Sequence, residues 1–145
     1  MAGVQRPGPV CFVARGVNLK NTGYTDITGS PLGSGGGLLR KTSQRFAVTQ
    51  AWVVIKTLTG TLTGAPSISI DGSSKSTGSV TGVSVVANVS LGTALVLDSQ
   101  VDLTLVAARR VCDIGSASGS LGVTVNTGAT VTTLTADVWI EGVYV

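Results

Sequence analysis

The chain has 145 residues and a formal net charge of +3, and only 12% of its residues are charged and 4% aromatic. A chain of this length forms a single domain that buries about 68–70% of its unfolded surface, so it needs no disulfide scaffold. Val and Thr are abundant, whereas the helix-favouring residues Glu, Lys and Met are scarce. The composition therefore excludes a helical protein and predicts an all-β fold.

Membranes and nucleic acids are not expected partners. The longest aliphatic and aromatic run, 51–55, is far shorter than the roughly 20 residues of a spanning helix, and the first ten residues lack a signal-peptide pattern. The basic residues are scattered, without the aromatic interleaving of a single-strand binder. We expect synthesis in a reducing cytoplasm, where Cys11 and Cys112 are free and buried by default and a disulfide is the less favoured alternative.

Residues 1–43 are predicted to form an extended arm and loops with one or two short strands. Pro7-Gly8-Pro9 bars a helix, and 10–15 has the pattern of a short strand. A second strand is possible around Tyr24 and Ile27, whereas 33–37 is a flexible loop by composition. Such a segment either becomes ordered against a neighbouring subunit or remains a mobile surface loop.

Residues 44–145 are predicted to form a β-sandwich core. The segment 44–58 is apolar on both faces, which indicates a central strand or one that crosses between sheets. Simple alternation puts Phe46, Val48, Trp52 and Val54 on one face and Ala51, Val53 and Ile55 on the other. The segment 67–71 points Ile68 and Ile70 inward, and Asp71-Gly72 is a strong turn signal.

The second half of the chain continues the pattern of short strands separated by turns. A strand is predicted over 80–91, and 95–107 forms either one long strand or a hairpin whose turn preserves the phase. A loop follows over 109–120, then a strand over 121–125. Strands at spacings of about 8–12 residues are typical of a sandwich or barrel, and eight or so suit a jelly roll.

The last sixteen residues predict the longest and clearest half-buried strand. Leu134, Ala136, Val138 and Ile140 fall on one side, and polar residues fall on the other. We expect the phase to shift at Gly142 through a bulge, so that Val143 and Val145 become apolar positions. Trp139 stands on the polar side. It is expected either to anchor a subunit contact or to pack beneath a loop.

No residue pattern indicates catalysis or a cofactor. The chain has no histidine, which removes the commonest general base and transition-metal ligand. A Ser-His or Cys-His nucleophile cannot be built, and Asp71-Gly72-Ser73-Ser74 fits a hairpin turn better than a calcium site. Six acids could in principle supply a glycosidase pair, but most of them are expected beside turns or on polar strand faces, where carboxylates are normally solvated: Asp71, Asp98, Asp102, Asp113, Asp137 and Glu141. We expect no enzyme, no catalytic residue, no cofactor and no metal.

The glycine-rich arm, the hairpin sequence TVNTGAT and the closing LTADVWIEGVYV together resemble the cement or decoration proteins of tailed bacteriophages. The resemblance implies a β-sandwich or jelly roll that forms a homo-oligomer, with a trimer favoured over a dimer. It also implies a virion location on the outer capsid surface, with the major capsid protein as partner. The interface residues on this interpretation are Arg6, Arg40, Lys41, Arg45, Trp139 and Tyr144.

Three other functions remain open at this point. One is a phage tail or receptor-binding component, which would also be a β-rich oligomer. Another is a soluble carbohydrate-binding β-sandwich module. The third is an enzyme that works through two carboxylates.

Overall fold

The fold consists of antiparallel strands, described by a computed structural model for residues 8–27, 45–72, 84–113 and 121–145. Within these ranges a short 3-10 turn spans Ala107–Arg109. The strands are β1 (Val10–Asn18), β2 (Gly23–Asp26), β3 (Arg45–Thr59), β4 (Ser67–Gly72), β5 (Ser84–Ser90), β6 (Gln100–Leu103), β7 (Val111–Asp113), β8 (Leu121–Thr127) and β9 (Thr133–Tyr144).

The strands form two antiparallel sheets with a jelly-roll order. The first sheet runs β1-β9-β3-β6, with β7 also paired to β3, and the second runs β2-β8-β4-β5. Because β9 covers one edge of β3 along its length, β6 and β7 share the other edge. Counted as one edge strand, they give the eight-strand, two-sheet arrangement of a jelly roll. The predicted all-β sandwich is confirmed.

The hydrophobic core lies between the two sheets. Phe46, Val53 and Ile140 of the first sheet and Ile68 and Val123 of the second are fully buried. Within each regular stretch of strand, the inward side chains occupy alternate positions because successive residues point to opposite faces. Fully burying such a side chain contributes about 1.5–3 kcal/mol, so the facing sets hold the sheets together.

The described part of residues 1–43 belongs to both sheets. Strand β1 pairs with β9, and β2 pairs with β8. Leu19 and Ile27, which flank β2, are 0% and 2% exposed. The Leu19 backbone N–H donates to the Leu134 carbonyl at 3.0 Å. These residues therefore contribute to the core, while the predicted loop at 33–37 lies outside the described residues.

Strand β3 is central, as predicted, but its predicted faces are wrong. Thr49 and Lys56 are each inserted into the β3–β9 ladder opposite no partner, which makes two bulges. Each bulge reverses the phase. Phe46 and Val48 point inward, then Ala51, Val53 and Ile55 do so, and Trp52 is turned to the outer surface.

The terminal strand β9 keeps one phase to its end, so the predicted bulge at Gly142 is wrong. Leu134, Ala136, Val138 and Ile140 are 0% exposed, as the alternation predicts. Gly142 continues this inward series, whereas Val145 is 67% exposed. A Cβ on Gly142 would lie 2.6 Å from Phe46 Cζ and overlap the Ala47 carbonyl oxygen. The glycine makes room for the Phe46 ring.

Residues 95–113 follow neither predicted alternative. The backbone turns at Asp98, whose φ is +62°, and its N–H donates to the Ile55 carbonyl at 2.7 Å. Strand β6 is only four residues long and ends well before the 3-10 turn. Strand β7 then pairs with β3 inside the segment predicted as a loop. The apolar alternation of 95–97 mimics a strand although these residues lie outside one.

Two further local predictions are corrected. Asp71 lies in β4, within the predicted strand segment 67–71, but it is 0% exposed, whereas a solvated carboxylate beside a turn was expected. It accepts hydrogen bonds from the hydroxyls of Ser69, at 2.7 Å, and Ser84. Cys11 is a free thiol, as expected, but it is exposed. Its partial burial and the Glu141 carboxylate raise the pKa of the Cys11 thiol.

Candidate functional site

Three side chains from neighbouring strands meet on the outer surface of the first sheet: Arg15 of β1, Trp139 of β9 and Trp52 of β3. We call this surface the tryptophan face. Trp52 and Trp139 are directly opposed in the β3–β9 register. Because both are half-buried and point away from the core, each leaves part of its ring in contact with solvent.

The two indole rings are stacked. Their centroids are 5.9 Å apart and their planes differ by 2°. The Arg15 guanidinium carbon lies 5.6 Å from the Trp139 ring centroid. Aromatic pairs contribute about 0.5–1.5 kcal/mol beyond area burial, and an exposed cation–π contact about 0.5–1 kcal/mol. Since β9 lies between β1 and β3, Trp139 is held from both neighbouring strands.

A bulge in β1 positions Arg15. The β1–β9 register shifts between Ala14 and Val17, and Gly16 has a φ of +64°. An Asp137 carboxylate oxygen accepts the Gly16 N–H at 2.9 Å. The other oxygen lies 3.7 Å from an Arg15 Nη. Asp137 is 7% exposed, and these contacts compensate the cost of burying its charge.

A shallow groove of about 360 Å³ opens beside the indole rings, lined by Arg15, Trp52, Val54, Lys56, Asp137 and Trp139. Lys56 Nζ lies 3.9 Å from a carboxylate oxygen of Asp98. Both side chains are substantially exposed, so this ion pair holds Lys56 only weakly. The groove thus has an aromatic and aliphatic wall and two basic side chains at its margin. Arg15 and Lys56 both lie in β-bulges, which change the direction in which a side chain points.

Four large apolar side chains are exposed along the two sheet edges that adjoin, where the Val106 N–H donates to the Val85 carbonyl at 2.7 Å. Val89, Val96, Leu97 and Val111 are 39%, 61%, 50% and 41% exposed. Val111 pairs with Ala47, whereas Val96 and Leu97 precede Asp98, which bonds to Ile55, so they lie towards opposite ends of β3. Exposed charged residues such as Asp102 and Arg110 stand between them in the chain. We call the four apolar residues together the apolar side.

The outer surface of the second sheet is polar and internally bonded. Asp71 is held by the Ser69 and Ser84 hydroxyls. The Asn126 side-chain amide donates to Ser69 Oγ and to Asn88 Oδ1, both at 2.9 Å. The Asp71 carboxylate is therefore part of a structural network.

The residues predicted as an interface fall into three groups. Trp139 lies in the groove. Tyr144 is half-buried, with its ring centroid 5.4 Å from that of Phe46 in an edge-to-face contact. Arg45 is the first residue of β3, but its side chain is not among those that the structure describes. Arg6, Arg40 and Lys41 lie outside the described residues.

The sequence prediction missed Trp52 and Arg15 as partners of Trp139. Simple alternation placed Trp52 with inward-pointing Phe46, and the Thr49 bulge reverses that assignment. The available signal was Trp139 on the polar side of a strand together with a second Trp in another long strand.

In 8–27, 45–72, 84–113 and 121–145, no three or more Cys, Asp or Glu side chains cluster as metal ligands would. No helix in this part of the chain is long and apolar enough to cross a membrane.

Comparison with protein-family models, with curated proteins and with solved structures finds no match to this chain.

Proposed function

We propose that this chain is a structural protein of a bacteriophage virion, which binds the outer capsid surface and holds neighbouring capsomers together. The apolar side is the observation that carries the proposal. The likeness of the arm and of the closing LTADVWIEGVYV to phage cement proteins supports the virion setting.

The apolar side has the properties of a protein-contact surface. Its four large side chains keep 39% to 61% of their area exposed. Strand β5 carries no charged residue, and the centres of protein interfaces are depleted in charge. Contact with the major capsid protein would cover these side chains.

A cement function also suits the fold. Jelly rolls occur in viral capsid and lectin domains, so the architecture is compatible with a virion role without requiring it. A rigid sandwich with an adhesive side stabilises a shell when many copies bind at once, because linked weak contacts add in avidity. A homo-oligomer, with a trimer favoured, would provide that multivalency, and Arg6, Arg40, Lys41, Arg45, Trp139 and Tyr144 remain proposed contacts.

The test is binding of the purified protein to capsids of the encoding phage assembled without it. We expect the wild-type chain to co-sediment with these capsids and raise their thermal rupture temperature. The double variant V96D/L97D should lose binding, because it places two charges in the apolar contact. V145D is the matched control, since Val145 is 67% exposed and lies outside the apolar side.

Two outcomes would contradict the proposal. One is a wild-type protein that leaves capsids bare. The other is a V96D/L97D variant that remains folded by circular dichroism and binds capsids as well as V145D does.

A further inference from the structure

We propose that the groove on the tryptophan face binds an acidic saccharide, with a pyranose ring against the indole surface and a carboxylate held by Arg15 and Lys56. This inference concerns a different surface from the apolar side, and it holds whether or not the chain sits on a capsid.

The side chains that line the groove are held in place by contacts within the protein, without a ligand. Trp52 and Trp139 stand on two central strands and are stacked with parallel planes. Arg15 is fixed at its base by the Gly16–Asp137 hydrogen bond. A site whose side chains are already ordered loses less conformational entropy on binding than one that must assemble. Large aromatic side chains left partly in water also favour a partner that covers them.

The position of the groove favours a saccharide over a peptide. Peptides that add to a sheet do so at an edge, where backbone N–H and C=O groups are free. Strands β3 and β9 are paired on both sides, so side chains alone recognise a ligand here. A pyranose ring suits that recognition, because its C–H face packs on an indole and its hydroxyls reach polar neighbours. A volume of about 360 Å³ fits a small-molecule site.

The charges favour an acidic ligand. The Asp137 carboxylate is only 9% exposed and already accepts the Gly16 N–H and faces Arg15, so it is largely satisfied. The Arg15 side chain is 70% exposed and has five N–H donors, most of which remain for a ligand. Lys56 is held only by a solvent-exposed contact with Asp98. A guanidinium that meets a carboxylate in a bidentate geometry forms a strong, directional contact.

Intrinsic fluorescence provides a direct assay. The chain contains two tryptophans, and both line the groove. We would titrate the full chain with hexamers of galacturonate and glucuronate and with neutral hexamers of galactose and glucose. At least one oligouronate should change the emission saturably, with an affinity that falls as salt rises. The neutral hexamers should bind about tenfold more weakly or not at all, because they lack the charge-assisted hydrogen bonds.

Variants separate the proposed contacts, with binding measured by calorimetry as well as fluorescence. R15A should weaken oligouronate binding about tenfold or more, and W52A should remove it. R110A is the matched control, because Arg110 is exposed and does not line the groove. If W52A fails to fold, W52F provides a second test, because it keeps an aromatic ring at this position. W52F should bind the oligouronate more weakly than the wild type does.

Three results would overturn the inference: neutral and acidic hexamers bind equally, no hexamer binds, or R15A binds as R110A does. The capsid proposal fails separately, because V89D, which places a charge on the apolar side in the second sheet and away from the groove, should lose capsid binding but bind the oligouronate normally. W52F should bind capsids normally. If W52F loses capsid binding while no oligouronate binds the wild type, the tryptophan face is a protein contact and the saccharide inference is wrong.

Discussion

At the scale of single residues, Gly142 shows how one missing side chain accommodates a core ring. The position faces inward on β9, where the Phe46 ring contacts both Phe12 and Tyr144 edge to face, each at 5.4 Å between centroids. A Cβ there would lie 2.6 Å from Phe46 Cζ, and the backbone oxygen of Ala47 is closer still. Backbone cannot move aside as a flexible side chain can, so the substitution strains the β3–β9 pair.

We expect G142A to lower the free energy of unfolding by about 1–3 kcal/mol, the usual cost of overpacking a core. Urea denaturation followed by fluorescence measures it as a lower midpoint at unchanged slope. G8A is the control, because a Cβ added at Gly8 meets no described atom within 4 Å. The G8A substitution should change the free energy of unfolding by no more than about 0.5 kcal/mol. Equal midpoints for the two variants would contradict the packing argument.

At the scale of elements, the two bulges of β3 decide which residues face solvent. If Thr49 were paired in the ladder instead of inserted, the register of β3 would shift by one residue over its central part. Since the side-chain period of a strand is two, a shift of one residue exchanges the faces. Ala51, Val53 and Ile55 would then point outward, and Trp52 would point into a packed core.

Deletion of Trp52, which lies between the two bulges, should therefore abolish cooperative folding, because it forces either this exchange or loss of pairing at one end of β3. Deletion of Thr49 is the matched control and should leave a cooperative transition, because Val48 and Gln50 then become consecutive and keep their partners Gly142 and Glu141. Circular dichroism and thermal unfolding measure both. A Thr49 deletion variant without a cooperative transition, or a Trp52 deletion variant as stable as it, would contradict the assigned bulge.

The same bulges mark the limit of what the sequence could predict. Alternation correctly identified the inward residues Ile68 and Ile70 of β4 and Leu134 to Ile140 of β9, where the inward positions follow a period of two. It failed in β3 because Thr49 and Lys56 are ordinary strand residues whose insertion depends on the partner strand. It also failed at 95–107, where Leu95 and Leu97 alternate like a strand although the backbone turns at Asp98.

The candidate site was predictable only in part, for the same reason. Trp139 stood out as a large aromatic residue on a polar strand face. Its contacts with Trp52 and Arg15 depend on the pairing of three strands distant in sequence, and on bulges that no local pattern reveals. Asp71 was expected to be solvated because Asp-Gly is a local turn signal, whereas its burial depends on hydroxyls from β4 and β5.

At the scale of the whole molecule, the sheet order makes folding depend on contacts between distant parts of the chain. The first sheet closes by pairing β1 with β9, and the Gly16–Asp137 hydrogen bond joins residues 121 positions apart. Most of the close contacts within the described residues join positions far apart in sequence. Loop-closure entropy must be overcome before such pairs form, which slows folding.

We expect refolding to take milliseconds to seconds, the range of sandwiches dominated by non-local pairs. Stopped-flow dilution from urea measures it, and the signal reports on the centre of the first sheet, because both tryptophans lie on β3 and β9. Complete refolding within microseconds would contradict the dependence on distant pairing.

The glycine beside Arg15 carries an evolutionary consequence. Gly16 has a φ of +64° and no neighbour near its missing side chain, so a larger residue there would meet backbone strain alone. Strand β1 could relieve this strain by losing its bulge, and the Arg15 guanidinium would then no longer contact the Trp139 ring. Related chains could thus acquire or abandon ligand recognition through a residue that never touches the ligand, while their hydrophobic interior stays the same.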